Sequence, residues 1–86
     1  MTESEVQAEI RRFIVESFLF GDDNAAPSPD QLLVKSGLVD STGILEIVTL
    51  LETRWGVQTA DEELAAENFG SVAAIARFVV RKAPTS

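Results

Sequence analysis

The residues able to do covalent chemistry are few in this chain. Among its 86 residues there is no His, Cys or Tyr, and Lys35 and Lys82 are the only side-chain amines. A serine nucleophile needs a base to activate it, commonly His and otherwise Lys or a carboxylate, so the composition argues against a self-contained enzyme. Without cysteine the chain forms neither disulfides nor a thiolate metal site. Any thiol chemistry must therefore come from an attached group.

Two serines stand where helices are predicted to begin. Ser41 follows Asp40 in the string Gly-Leu-Val-Asp-Ser at residues 37–41, whereas Ser71 follows a turn that ends in Gly70. A serine at a helix start is explained by capping alone, because its hydroxyl can accept one of the unpaired backbone N–H groups. We interpret Ser71, which has no preceding acid, as a cap. Either Asp40 or Ser41 can cap the helix that follows them.

That helix is predicted over Ser41–Trp55. Its apolar residues follow the i, i+3, i+4, i+7, i+11 spacing of one helical face, namely Ile44, Ile47, Val48, Leu51 and Trp55. Gly56 fits the position just past the helix end, where a left-handed backbone is needed. The pattern predicts an amphipathic helix that presents Ser41 at its first turn.

The string Gly-x-x-Asp-Ser, followed by an apolar helix with Glu46 five residues after the serine, resembles the 4'-phosphopantetheine attachment site of acyl and peptidyl carrier proteins. The likeness runs from about Leu32 to Val80. It implies that the Ser41 hydroxyl carries the prosthetic arm through a phosphodiester, and that the arm's thiol holds an acyl or aminoacyl cargo as a thioester. It also implies a non-enzymatic, all-α four-helix bundle with a long first loop and a short third helix.

The helix departs from the carriers of fatty acid synthesis in its first turn. Thr42 stands where Leu is usual, and Gly43 occupies a position that is often acidic, at an intrinsic helix cost of about 1 kcal/mol relative to Ala. Asp40, Glu46 and Glu52 keep an acidic face. These departures argue against a carrier of housekeeping fatty acid synthesis and suggest a specialised, stand-alone carrier. Its expected partners are a phosphopantetheinyl transferase and an acyl- or aminoacyl-activating ligase, synthase or transferase.

A partner docking surface is predicted around the serine. Leu45 and Glu46 match positions that contact partner enzymes in the carrier family. We expect the surface to meet a basic patch and to consist of Asp40, Leu45, Glu46, Thr49 and Glu52. A competing interpretation is an unmodified helical interaction module, in which Ser41 is only a cap and the acidic helix binds a basic partner.

Charge also limits the choice of partner. The net charge is -7, and eight of the fourteen acids lie within residues 30–70 with only Lys35 and Arg54 among them. This sign disfavours nucleic acid and favours basic protein surfaces, although many acids also suit a solvated surface. Acids of the first loop lack the spacing of a calcium loop, so no metal is expected. No apolar run approaches the ~20 residues of a membrane span, and the acidic start is no signal peptide. We expect a cytoplasmic monomer without membrane insertion.

The remaining elements are predicted from caps and apolar periodicity. Thr2 and Glu5 have capping-box spacing at the start of a first helix. Its buried stripe is expected to be Val6, Ile10, Phe13, Ile14 and Phe18. A short helical turn is predicted over residues 30–34, with its leucines packed on the core.

Thr59 and Glu62 have the same capping-box spacing, which predicts the short third helix over residues 61–66. The last helix begins after Ser71, and its inward residues are expected to be Val72, Ile75, Ala76 and Val79. Residues 1–82 are expected to form a single carrier domain, and residues 83–86 a flexible tail.

Overall fold

The computed structural model describes residues 2–83. Its four α-helices are α1 (Glu3–Phe18), α2 (Ser41–Trp55), α3 (Ala66–Phe69) and α4 (Val72–Lys82). Two short 3₁₀ turns lie in the connections, at Asp23–Ala25 and Asp61–Glu63. Within the described residues there is no strand. The prediction of an all-α four-helix bundle with a long first loop and a short third helix is confirmed.

The capping box predicted at the start of α1 is confirmed. The Glu5 N–H donates to Thr2 Oγ1 at 3.2 Å, and the Thr2 N–H donates to Glu5 Oε1 at 3.0 Å. The buried side of the helix differs in part from the predicted stripe, because Val15 is buried while Phe13 and Phe18 are only half-buried. The two phenylalanine rings meet edge to face at the rim of the core, 6.0 Å apart.

The core lies where α1 packs along α4, and α3 also packs against α4. On α4 the predicted inward residues are all buried, and Phe78, which the periodicity did not single out, is fully buried beside Phe69. The helices contribute Val6, Ile10, Ile14, Ile47, Leu51, Phe69, Val72, Ile75, Ala76, Phe78 and Val79, and the connections contribute Leu33, Val39 and Val57.

The long connection from α1 to α2 is tied to the α3–α4 junction by its backbone. The Leu33 N–H donates to Gly70 O and the Ala73 N–H donates to Pro29 O, both at 2.9 Å. The helical turn predicted over residues 30–34 is wrong, since this segment forms successive turns with no helix. The Leu33 N–H bonds across to the α3–α4 junction, while the carbonyls of Leu32 and Val34 accept N–H groups of the turns that follow, those of Ser36 and Gly37. Leu33 is buried as predicted, but Leu32 is 49% exposed.

The third helix begins later than predicted. Residues 61–63 form a 3₁₀ turn, and the α-helical turn follows at residues 66–69. The acid that reaches back is Glu63, whose Oε1 accepts the Ala60 N–H at 2.9 Å, so the Thr59–Glu62 capping box is wrong. The Thr59 hydroxyl is instead buried and finds no hydrogen-bond partner within residues 2–83.

None of the helices within residues 2–83 combines the length and apolar character needed to cross a membrane. Of the tail predicted at residues 83–86, only Ala83 belongs to the described residues.

Candidate functional site

Ser41 is the first residue of α2, and its side chain is exposed. The cap of this helix is Asp40, whose Oδ1 accepts the Gly43 N–H at 2.8 Å. The Ile44 N–H donates to the Asp40 carbonyl at 3.0 Å, so both the side chain and the backbone of Asp40 close the first turn. No side-chain hydrogen bond among the described residues engages Ser41. The Ser41 hydroxyl is therefore not needed to hold the helix.

Ser71 provides the contrast within the same chain. It also precedes a helix, but it is only 8% exposed and its Oγ accepts the Ala74 N–H at 3.1 Å. The structure confirms Ser71 as the cap of α4. Of the two serines at helix starts, Ser71 uses its hydroxyl to cap a helix, whereas the hydroxyl of Ser41 is open to solvent.

The first turn of α2 packs tightly against Val39 and Phe18 at Gly43. Gly43 is buried, and a β-carbon at that position would meet Val39 Cγ1 at 2.6 Å and Phe18 Cζ at 3.1 Å. The glycine thus lets the start of α2 approach the end of α1. This contact supports the backbone that carries Ser41.

The far end of α2 is fixed as well. Gly56 has a φ of 68° and ends the helix in the left-handed conformation that was predicted. Ile47 and Leu51 are fully buried, whereas the stripe residues Ile44, Val48 and Trp55 are half-buried against the same core. The guanidinium of Arg54 pairs with Glu9 of α1 at 2.7 Å. Ser41 therefore projects from a helix held at both ends.

An open apolar groove of about 670 Å³ lies beside Ser41, between the loop that precedes α2 and the segment that contains α3. Its lining residues are Leu32, Val34, Lys35, Ser41, Ile44, Leu45, Leu64, Ala65, Ala66, Phe69 and Gly70. This groove was not predicted from the sequence. Its walls come from residues some thirty positions apart, and no local pattern shows that they meet.

One wall of the groove is braced by Glu63. Its carboxylate accepts the Ala60 N–H and pairs with the ammonium of Lys82 at 2.9 Å. These contacts, the backbone bond first and the lysine second, hold the pKa of Glu63 below its ordinary value. The segment that presents Leu64 is thereby tied to the end of α4.

The residues predicted to dock partners are all exposed: Asp40, Leu45, Glu46, Thr49 and Glu52. Three of them, at positions 45, 49 and 52, are spaced by four and three residues and share one side of α2. Leu45 also lines the groove, so the docking residues and the groove adjoin. The Thr49 hydroxyl donates to the Leu45 carbonyl at 3.2 Å, within α2 itself. Within residues 2–83, no ion pair involves the acids of this set.

Comparison with known proteins identifies the class. No protein-family model matches the chain, and no curated protein matches it either. Among solved structures it is similar to one described as apo KstB-PCP, a peptidyl carrier protein. The two are 37% identical, the match covers 93% of this chain and 88% of that one, and the TM-score is 0.72. The chain therefore belongs to the carrier-protein family, and it is a carrier and not an enzyme.

Proposed function

We propose that this chain is a carrier that holds an acyl or aminoacyl cargo as a thioester on a 4'-phosphopantetheine arm attached to Ser41. Residues 1–82 act as one monomeric carrier domain. The observation that carries the proposal is the exposed Ser41 hydroxyl at the start of α2, freed from capping by Asp40. An attachment residue must be reachable by another enzyme and held on a rigid element, and Ser41 satisfies both conditions.

The surroundings of Ser41 suit a phosphodiester. The positive end of the α2 dipole favours a negative group at the first turn by about 0.3–1 kcal/mol. The carboxylate of Asp40, whose Oδ1 accepts the Gly43 N–H at 2.8 Å, keeps its negative charge and opposes part of this effect. When bound, the arm supplies the thiol that this cysteine-free chain lacks. The protein's own part is to hold the serine in place and present it.

The partners of such a carrier are a phosphopantetheinyl transferase and a ligase, synthase or transferase that loads or uses the cargo. The exposed acids of α2 fit an enzyme surface with a basic patch. The same exposed acids also suit an unmodified helical module that docks a basic protein. The two functions differ in whether Ser41 becomes covalently modified.

Intact-mass measurement tests the proposal. The purified protein is incubated with coenzyme A and a broad-specificity phosphopantetheinyl transferase, and the wild type is expected to gain one phosphopantetheine. Ser41→Ala should gain none while its helical circular dichroism stays the same, because Asp40 still caps α2.

Ser71→Ala is the matched control. It removes a serine at the start of a helix and loses a cap worth about 0.5–2 kcal/mol, yet it should be modified like the wild type. Labelling of Ser41→Ala, or no labelling of the wild type, would rule out the assignment and leave the interaction module.

A further inference from the structure

Phe20 is the most exposed large hydrophobic residue in the part of the chain that the structure describes. It lies two residues past the end of α1, and its side chain is 100% exposed, so the ring takes no part in the core. Single exposed hydrophobic residues are ordinary on a protein surface, and exposure by itself assigns Phe20 no role. The backbone of the same residue provides a second observation.

The backbone of Phe20 is strained. Its φ of 54° lies in the left-handed region, and among residues 2–83 it is the only residue other than glycine with a positive φ. Glycine is the usual residue in this conformation after a helix, because a β-carbon is unfavourable there. Phe20 therefore costs the free protein stability, and its exposed ring offsets none of that cost. Strained residues of this kind concentrate at functional sites.

Phe20 lies at the end of the bundle that carries Ser41. An ion pair of 2.7 Å joins the far end of α2 to the middle of α1, and the ring of Phe18 packs against Gly43, so the end of α1 lies beside the start of α2. Phe20 is two residues beyond Phe18, and Ser41 is two residues before Gly43. An enzyme interface of standard size buries about 800 Å² on each partner and can cover both residues.

The surface around Phe20 is acidic. No basic residue lies in the last turn of α1, where the helix dipole is negative, and the two arginines of α1 are each paired with an acid at 3.8 and 3.3 Å. Asp22 and Asp40 form no ion pair within residues 2–83, whereas Lys35, which lines the groove beside Ser41, adds one positive charge against these two. A protein that covers this surface therefore needs positive charge around the place where the ring enters.

We propose that the ring of Phe20 inserts into an apolar pocket, rimmed by basic residues, on the phosphopantetheinyl transferase that modifies Ser41. The inference rests on the proposed function, and the contact lies outside the docking surface predicted on α2. An aromatic ring buries about 150–250 Å² and is a preferred residue in the core of an interface. A second copy of this chain is a poor occupant, because it presents the same acidic surface and a net charge of -7.

The test measures the melting temperature of each variant and its kcat/KM for modification of Ser41 by coenzyme A and a broad-specificity phosphopantetheinyl transferase. Phe20→Gly removes the ring and relieves the backbone, so its melting temperature should rise by about 2–8 °C. Phe20→Ala removes the ring but keeps the β-carbon, and it should melt near the wild type. Both variants should lose about 10- to 100-fold in kcat/KM, because each lacks the ring that the complex buries.

Three further variants separate the ring from its surroundings. Phe20→Leu keeps an apolar side chain and should retain most of the rate. Val80→Ala removes an exposed hydrophobic side chain on α4, outside the groove, and should be modified like the wild type. Asp22→Asn keeps the oxygen that accepts the Asn24 N–H at 3.0 Å but removes the charge. It should slow modification by up to about fivefold at low salt and not at high salt.

An unchanged kcat/KM in Phe20→Gly and Phe20→Ala, with the wild type modified normally, would refute the inference and leave Ser41 as the attachment site. Unequal losses in these two variants would also refute it, since the backbone and not the ring would then set the rate. A wild-type dimer in analytical ultracentrifugation that Phe20→Gly dissociates would overturn it and assign the ring to a contact between copies. Failure of the wild type to be modified at all would refute the proposed function first, and the inference with it.

Discussion

A β-carbon on Gly43 would lie 2.6 Å from Cγ1 of Val39, closer than carbon atoms approach in folded proteins. Two ring carbons of Phe18 lie 3.1 and 3.2 Å from the same point. The Gly43 N–H also donates to the Asp40 carboxylate. Gly43 therefore takes part both in the N-cap of α2 and in the packing of its first turn. From the sequence alone, Gly43 was expected to lower the stability of the helix. In the structure, the close approach of its neighbours requires a glycine at this position.

We expect Gly43→Ala to destabilise the protein by about 1–3 kcal/mol through overpacking, despite the helix propensity gained. Val39→Ala alone removes buried methyl groups and also destabilises. Val39→Ala also removes Cγ1, which the new methyl group of Gly43→Ala would meet. The double variant should therefore lose less unfolding free energy than the sum of the two single variants, by about 0.5–3 kcal/mol. Urea unfolding of the four proteins measures this coupling. Additive losses would show that the two residues do not compete for the same space.

Two variants at Asp40 distinguish its role as a helix cap from the effect of its charge. Asp40→Ala should lower the free energy of unfolding by about 0.5–2 kcal/mol, because the Gly43 N–H loses its acceptor. Asp40→Asn keeps a capping oxygen and should unfold like the wild type, while removing one charge beside Ser41. If partner enzymes read that charge, the Asn variant is modified more slowly at low salt. Equal stability of the Ala and wild-type proteins would contradict the cap.

The limits of α2 were predictable because several independent signals agree on them. Five apolar residues share one helical face, an acid precedes the helix and a glycine follows it, and the observed helix runs over Ser41–Trp55. Which residue caps was left open, since Asp40 and Ser41 both have suitable side chains. That choice depends on the direction in which each side chain points.

The α3 region was predicted less well because tertiary contacts decide it. Glu63 accepts the Ala60 N–H and also binds Lys82, nineteen residues away, and no local pattern contains this long-range pair. The groove escaped prediction for the same reason. Its two walls meet where the loop before α2 contacts the α3–α4 junction, as in the bond from the Leu33 N–H to Gly70 O.

Two residues on the core face of α2, Leu51 and Trp55, are buried to different degrees, so their alanine variants should lose different amounts of stability. Leu51 is fully buried, so Leu51→Ala should cost about 2–5 kcal/mol. Trp55 is only half-buried at the helix end, where Arg54 lies 5.7 Å from its ring. Trp55→Ala should therefore cost less than Leu51→Ala, as thermal or urea unfolding would show. A larger loss at Trp55 would mean that the last turn of α2 packs more deeply than described.

Glu63 makes stability depend on pH. Its pKa in the folded protein lies below the ordinary value of 4.5, through the Ala60 N–H and then Lys82. A carboxylate with a lowered folded-state pKa contributes stability above its unfolded-state pKa, and this contribution is lost as pH falls through the folded-state pKa. Below pH 4.5 the melting temperature of the wild type should therefore fall more steeply than that of Glu63→Gln. Glu62→Gln, an exposed neighbour outside these hydrogen bonds, is the control and should follow the wild type.

The acids on the solvent side of α2 are expected to guide partner enzymes to Ser41. Glu46 is exposed and forms no ion pair with any of the described residues, so its charge is available to a basic partner. Near solvent such a charge acts mainly on the rate of association, and salt screens it over about 10 Å at 0.1 M. Leu45, exposed beside it, supplies the apolar part of the contact.

Glu46→Lys should therefore lower kcat/KM for modification of Ser41 at low ionic strength, mainly through KM, and leave the unfolding free energy nearly unchanged. Added salt should slow the wild type toward the rate of the variant. Glu16→Lys makes the same change of net charge on α1, outside the docking surface, and breaks only the exposed pair with Arg12 at 3.3 Å, which is worth at most about 1 kcal/mol. Its modification rate should stay near that of the wild type. If the two variants slow equally, the partner responds to net charge and not to this surface. If neither slows, the acids of α2 serve solubility alone.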